Sequence, residues 1–139
     1  MAAYLRDVIA WMVSTIADDT VLQSLGVSGT FMYNAPEGQD YPYIIIQKTA
    51  ETHKFVFGDE AYNEHWLAVK ALDKGFDGGD RARQVMDRVR FLFKEARPTL
   101  TSGYTMVIRA QSGFELCEAE AGNNFFYHVG TVFVPWLGE

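Results

Sequence analysis

A chain of 139 residues has the length of one domain, spanning 1–139, and is long enough to bury a core without disulfides or a structural metal. With 48% hydrophobic and 14% aromatic residues it is too apolar for intrinsic disorder, yet no apolar run reaches the roughly 18 residues a membrane helix needs. A formal charge of −6 argues against gripping nucleic acid by its phosphates, which rests on clustered Lys and Arg, but suits a surface past which DNA slides.

The N-terminus, Met1 to Asp7, shows no basic flank followed by an apolar stretch, so no signal peptide is expected. Leu5, Val8, Ile9, Met12 and Ile16 fall at helical spacing and predict a first helix over about residues 3–17. Asp18 and Asp19 sit where a helix C-terminus disfavours acids. They read as a stop and a new N-cap, with Asp19 opening a short helix over 20–25 that Gly26 closes. A turn at Ser28-Gly29 leads to a short strand over 30–33.

The stretch from Ala35 to Gln47 organises the rest. A turn bearing Pro36 and Gly38 runs into Tyr41-Pro42-Tyr43-Ile44-Ile45-Ile46, and Pro42 gives the next strand a defined start. That strand, 43–49, is a continuous apolar run, which implies burial on both faces. Residues 50–60 hold Glu51, His53, Lys54, Phe55, Phe57, Gly58 and Asp59, too polar for core and too aromatic for an idle loop. Two readings stand side by side: a projecting hairpin or loop that orders against a partner, and a surface loop with its aromatics folded back on the core.

Residues 62–72 alternate as a central strand, with Trp66, Ala68 and Leu72 on one side and His65, Leu67, Val69 and Ala71 on the other. A turn cluster over 74–80 precedes the cleanest helical stripe in the chain, Ala82, Val85, Met86, Val89, Leu92 and Phe93, with Asp80 as its expected N-cap. Two further strands, about 103–117 and 124–134, form an antiparallel pair, with a bulge expected at Gly113 and a close approach at Gly130. The order α-α-β-β-β-α-β-β predicts an α+β domain: a mainly antiparallel sheet with two long helices packed on one face.

No residues converge as a reaction centre. His53, His65 and His128 lack the short paired spacing of metal ligands, although Glu60 and Glu64 lie near His65 in sequence. Cys117, the only cysteine, excludes an internal disulfide and suits a reducing compartment; Glu115, Glu118 and Glu120 around it would raise a thiol pKa rather than lower it. Residues 75–80 lack the Lys-Ser/Thr of a phosphate loop, and Asp77 and Asp80 would repel an anion there. Glu118 and Glu120 read as solvated turn carboxylates. No metal, cofactor or catalytic group is therefore expected. The one cationic cluster is the helix face of Arg81, Arg83, Arg88, Arg90 and Lys94. It reads first as a solvated face, second as a face meeting an acidic neighbouring subunit, and last as a nucleic-acid contact.

Several of these pieces together resemble a known family. Pro36-Glu37-Gly38 leading into Tyr41-Pro42-Tyr43-Ile44-Ile45, the Asp-x-x-Val-Leu-x-x-Leu helix from Asp18 to Leu25, the strand Trp66-Leu67-Ala68-Val69-Lys70-Ala71 before the helix over 82–93, and the strand Tyr127-His128-Val129-Gly130-Thr131-Val132-Phe133-Val134 are similar in order and spacing to the tail-terminator, or tail-completion, proteins of long-tailed bacteriophages. The resemblance implies a non-enzymatic virion protein of the tail and neck, assembled in the host cytoplasm. It would form a hexameric ring of its own copies on the head-proximal end of the tail tube, stop tube growth and meet the head-completion proteins. DNA would pass through the ring without specific binding, and no membrane is involved. The subunit or partner contacts expected from the residues are His53, Lys54, Phe55 and Phe57 of the 50–60 segment and Arg83, Arg88 and Arg90 of the cationic helix face. Two other readings remain open: a different neck component, such as a head-closure or adaptor protein, and a small ligand-binding or hydrolytic α+β domain with a pocket between sheet and helices.

Overall fold

A computed structural model describes residues 2–56, 59–75, 79–94, 96–98, 106–120 and 124–137. The chain opens with α1 (Ala2–Asp18), whose residues Val8, Met12 and Ile16, four apart, form one fully buried stripe. It stops at paired acids. Asp19 leaves helical geometry and becomes the N-cap of α2 (Thr20–Ser24), its Oδ2 accepting the Leu22 N–H at 2.9 Å. Gly26, at φ +87°, closes α2 in the left-handed region that a side chain disfavours. Strand β1 (Thr30–Met32) follows and ends on Tyr33, itself at φ +62°.

Across a cis Tyr41–Pro42 bond the chain enters β2 (Tyr43–Val56), which is longer than its apolar run. β3 (Asp59–Lys74), α3 (Asp80–Phe93), β4 (Met106–Glu120) and β5 (Asn124–Leu137) complete the fold. The strands form one sheet in the order β1-β2-β3-β5-β4. Every neighbouring pair is antiparallel except β1 and β2, which run parallel, the connection over 33–42 returning the chain to the end at which β1 began. The α+β architecture and the element order expected from the sequence are both present.

Side-chain alternation decides the layers. Ile44 and Ile46 of β2, Leu67, Val69 and Ala71 of β3, Ile108 of β4, and Val129 and Phe133 of β5 point to one face. They share a single buried cluster with Val8, Met12 and Ile16 of α1 and Ala82, Val85, Met86, Val89 and Phe93 of α3. Both long helices therefore cover the same side. Phe93 is the hub, edge-on to Phe133 at 5.5 Å between centroids and tilted against Trp11 at 5.6 Å. Burying each such side chain contributes about 1.5–3 kcal/mol.

On the other face, a register row runs Ile45, Lys70, Gly130, Phe114. Gly130 makes that row possible: a Cβ there would overlap the Phe114 ring, so the expected close approach is that ring lying over bare backbone.

Three local expectations are corrected. Asp80 is the first helical residue of α3, and the N-cap is Gly79 at φ +82° with no side-chain cap bond. The β4 bulge falls between Ala110 and Ser112, while Gly113 pairs regularly with Thr131. Finally, the strand expected over 43–49 runs on to Val56, so the described part of the 50–60 segment is paired strand, as in a hairpin: β2 and β3 stay paired from Ala50↔Trp66 out to Val56↔Asp59.

Candidate functional site

The arm that contains the 50–60 segment, and the arginine helix, are the surfaces the sequence marked for contact. β5 pairs with β3 only from Leu67 onwards, and β1 pairs with β2 only through Ile46. The segment 50–56 with 59–66 is thus a two-stranded ribbon extending past the rest of the sheet. It exists because the register set by the apolar run continues through seven further pairs, interrupted by shifts between Lys48 and Ala50 and between Lys54 and Phe55. His53, Lys54 and Phe55 lie on its β2 strand, opposite Asn63, Tyr62 and Glu60. Phe57 lies outside the described residues.

The other contact residues are on α3, and the structure gives each a partner within the chain. The arginines sit on both flanks of the buried stripe. On one flank Arg81 reaches β3, its Nε and Nη2 donating to Asp73 at 2.8 and 2.6 Å, and Arg88 reaches the α2 cap, donating to Asp19 at 3.0 and 2.7 Å. On the other flank Arg83 donates to Glu115 of β4 at 2.8 and 3.2 Å, and Arg90 donates to the Thr131 hydroxyl at 2.7 Å and to Asp87 at 3.2 Å. Arg88 also lies 4.9 Å over the Phe91 ring. The acidic partners of this face therefore include residues of the same chain, so the helix is bolted to the sheet and to α2 by planar two-pronged contacts.

These contacts set the charge states. The Arg88 guanidinium holds the Asp19 carboxyl below its ordinary value, burial works against it, and the Leu22 N–H reinforces it. The Arg83 guanidinium does the same for Glu115. Asp73 is fully buried and also accepts the Lys74 N–H at 2.8 Å, so its oxygens are met by Arg81 and by backbone.

The sequence did not anticipate a group of rings on the helix-free face. Tyr41 packs 5.1 Å from Tyr43 and 6.0 Å from Phe126, with the Lys74 ammonium 5.5 Å from the Phe126 centroid. Leu72, Glu118 and His128 join them around a half-open cleft of about 290 Å³. Its only sequence signal was parity: residues 72, 74, 126 and 128 share a strand face, but their adjacency required the β3–β5 register. Burial pushes the Tyr43 hydroxyl up to about 12, with Tyr41 adding to it. Burial likewise holds the His128 imidazole below its ordinary value; Lys70 adds to that shift and Glu118, 3.9 Å away, opposes it. Both groups are therefore neutral at pH 7, and the carboxylate facing His128, Glu118, is mostly exposed.

His65 is buried at the foot of the arm, its Nδ1 3.5 Å from Glu51 Oε1. Among the described residues no three His, Cys, Asp or Glu side chains are placed to hold a metal ion. Among the described residues no helix is long and apolar enough to cross a membrane.

What stands out instead is unsatisfied margin. Among the described residues β5 is the one strand beside β4, whose Ile108 N–H donates to the Ala96 carbonyl at 3.0 Å, and residues 109–113 and 115–119 are exposed, Leu116 at 59%. At the opposite margin Met32 and Tyr33 are 40% and 52% exposed, with Val21 of α2 at 41%. The sheet thus has two unlike edges, each with apolar side chains facing outwards.

No protein-family model and no curated protein matches the chain. Among solved structures it is similar to a chain of the virion of a native gene transfer agent particle, with a TM-score of 0.65 and 12% sequence identity, over 91% of this chain and 92% of that one. The likeness at that identity is one of fold, and it takes in nearly the whole of both chains.

Proposed function

We propose that the protein is a structural component of a phage-like virion. Its copies assemble into a closed ring, hexameric in the tail-terminator resemblance, on the head-proximal end of the tail tube, where the ring ends tube growth and joins tail to head. The observation that carries this reading is the near-complete fold likeness to a chain of an assembled virion particle. The sequence resemblance to tail terminators, made independently, supplies the finer assignment. Its partners in this reading are further copies of itself, the tail-tube protein and a neck protein, and DNA passes through the ring without specific binding.

The molecule is suited to the task. Two different margins of one sheet are what a heterologous, closed interface requires, since each copy must present one surface to the neighbour before it and another to the neighbour after. The arm and the α3 face are candidate sites for the contacts above and below the ring. No reaction is part of this reading.

Electron microscopy of the purified protein, alone and with tail tubes, tests it. Rings of uniform subunit number capping one end of each tube are expected. Tubes that stay uncapped, or a chain that stays solitary in finished particles, would overturn the assignment.

A further inference from the structure

The long helices cover one face of the sheet, so a second copy can meet the outer side of α3 or the helix-free face of the sheet. These surfaces are unlike and point opposite ways, as a heterologous contact requires.

The outer side of α3 centres on Phe91. It is 70% exposed, more than any other large hydrophobic among the described residues. Arg88 holds the ring from one side, lying 4.9 Å over it while anchored to Asp19. Aromatic residues and arginine are the types enriched where proteins meet. One turn before Phe91 stands Asp87, 72% exposed, and one turn after it Lys94, also exposed. This side therefore runs acid, ring, base over about 10 Å, at a rise of about 1.5 Å per residue.

The helix-free face carries the converse. Lys74, Phe126 and Glu118 form one register row across β3, β5 and β4. It runs base, ring, acid over about 10 Å, at a strand spacing of about 4.8 Å. Lys74 and Glu118 are exposed, and Phe126 lines the half-open cleft with Tyr41 and Tyr43. The neighbouring charges leave this match in place. Lys70 lies on β3 with Lys74, and Asp80 on α3 before Asp87, so each adds to its own side. Asp73 is held by Arg81, Arg88 by Asp19, and His128 is neutral. Arg90 donates to Thr131, and its exposed pair with Asp87 is of a kind that contributes little. Glu95 and the side chain of Glu120 lie outside the described residues.

We infer, resting on the assembly reading above, that α3 of one copy lies across the helix-free face of the next. Phe91 is seated in the ring-lined cleft against Phe126, with Asp87 facing Lys74 and Lys94 facing Glu118. Each copy gives its helix to one neighbour and its sheet to the other, so sheets and helices alternate around the assembly. The α3 face then meets a copy of the same chain, and contacts above or below the ring are left to the arm.

A charge-exchange experiment tests this. One variant reverses the helix side with Asp87→Lys and Lys94→Glu; a second reverses the sheet side with Lys74→Glu and Glu118→Lys. All four positions are exposed, and circular dichroism checks that each variant folds. Native mass spectrometry and sedimentation, alone and with tail tubes, should find either variant by itself as a 15.7 kDa monomer. Their 1:1 mixture should assemble as wild type does, because reversed surfaces then meet reversed ones and native surfaces native ones, in alternation. Phe91→Ala should weaken association about 30-fold, the loss shown by a side chain that dominates an interface. Should a double reversal fail to fold, the single exchange of Lys94→Glu against Glu118→Lys is read in the same way. Either reversed variant assembling alone as wild type does, a folded mixture that stays monomeric, a Phe91→Ala chain that associates like wild type, or a wild type that stays monomeric with and without tubes would overturn the inference. A mixture that pairs while wild-type chains cap no tubes would remove the ring reading and leave this one standing; tubes capped by wild type and by each variant alone would do the reverse.

Discussion

At the level of single residues, Asp19 does more than its position in the sequence implies. As an N-cap it was legible from the paired acids after an apolar stripe, because capping is decided within one helical turn. Its second role, receiving Arg88 from 69 residues away, was not. Replacing Asp19 with Ala removes the cap and leaves Arg88 without that carboxylate, so a loss of about 2 kcal/mol is expected in urea denaturation. The pH dependence follows from the lowered carboxyl. Its stabilisation is complete above the ordinary value of 3.8 and is lost as pH falls through the lower folded-state value. The difference between wild type and Asp19→Ala should therefore be full at neutral pH and shrink as the solution is acidified below that range; a difference that stays constant down to strongly acid pH would exclude the ion-paired role.

Among the elements, α3 shows how a helix read correctly can still be misjudged at its surface. Its buried stripe, Ala82, Val85, Met86, Val89 and Phe93, was plain from spacing. Its arginines read as a face turned away from the core, whereas they flank the stripe and reach down on both sides to β3, α2, β4 and β5. The Arg81 contact is the most consequential because Asp73 is fully buried. Arg81→Met keeps the aliphatic stem but strands a buried carboxylate, and should cost about 3 kcal/mol. Asp73→Asn combined with Arg81→Met should recover part of that loss, since the charge is then gone from both sides. Thermal denaturation of the two variants checks this; equal stability would show that the pair is not coupled.

The arm is the element where the sequence reading stayed divided. Residues 50–60 interrupt the apolar pattern, and a period-2 signal with few apolar residues on either face does not announce a strand. Residues 50–56 are strand through cooperative pairing with residues 59–66, which carries the β2–β3 ladder past the apolar run of β2.

For the whole molecule, the competing reading was a ligand-binding or hydrolytic domain. The aromatic cleft around Tyr41, Tyr43, Phe126 and His128 is half-open, and its titratable groups do not converge. A thermal-shift screen against divalent metals and common metabolites should therefore leave the melting temperature unchanged, whereas a ligand at 100 times its Kd would add about 2.7 kcal/mol of stability and be readily seen. Any saturable stabilisation would move the assignment towards that class. The exposed margins argue in the other direction, since a long β edge without lysine or proline is tolerated where something covers it.

Local physics alone determined the α+β class, the order of elements, the stop at Asp18-Asp19, the start of β2 after Pro42 and the need for glycine at 130. Each of these rests on a period, a cap, a fixed φ or a single missing Cβ, and such features act over a few residues. The tertiary structure decided the rest: the parallel seat of β1, the extension of β2 and β3 into an arm, the partner that each arginine meets, the ring cluster on the helix-free face and the exposed stretch of β4 over 109–113 and 115–119. These depend on which strand lies beside which and in what register, and that is settled by burial summed over the whole sheet rather than by any segment of it.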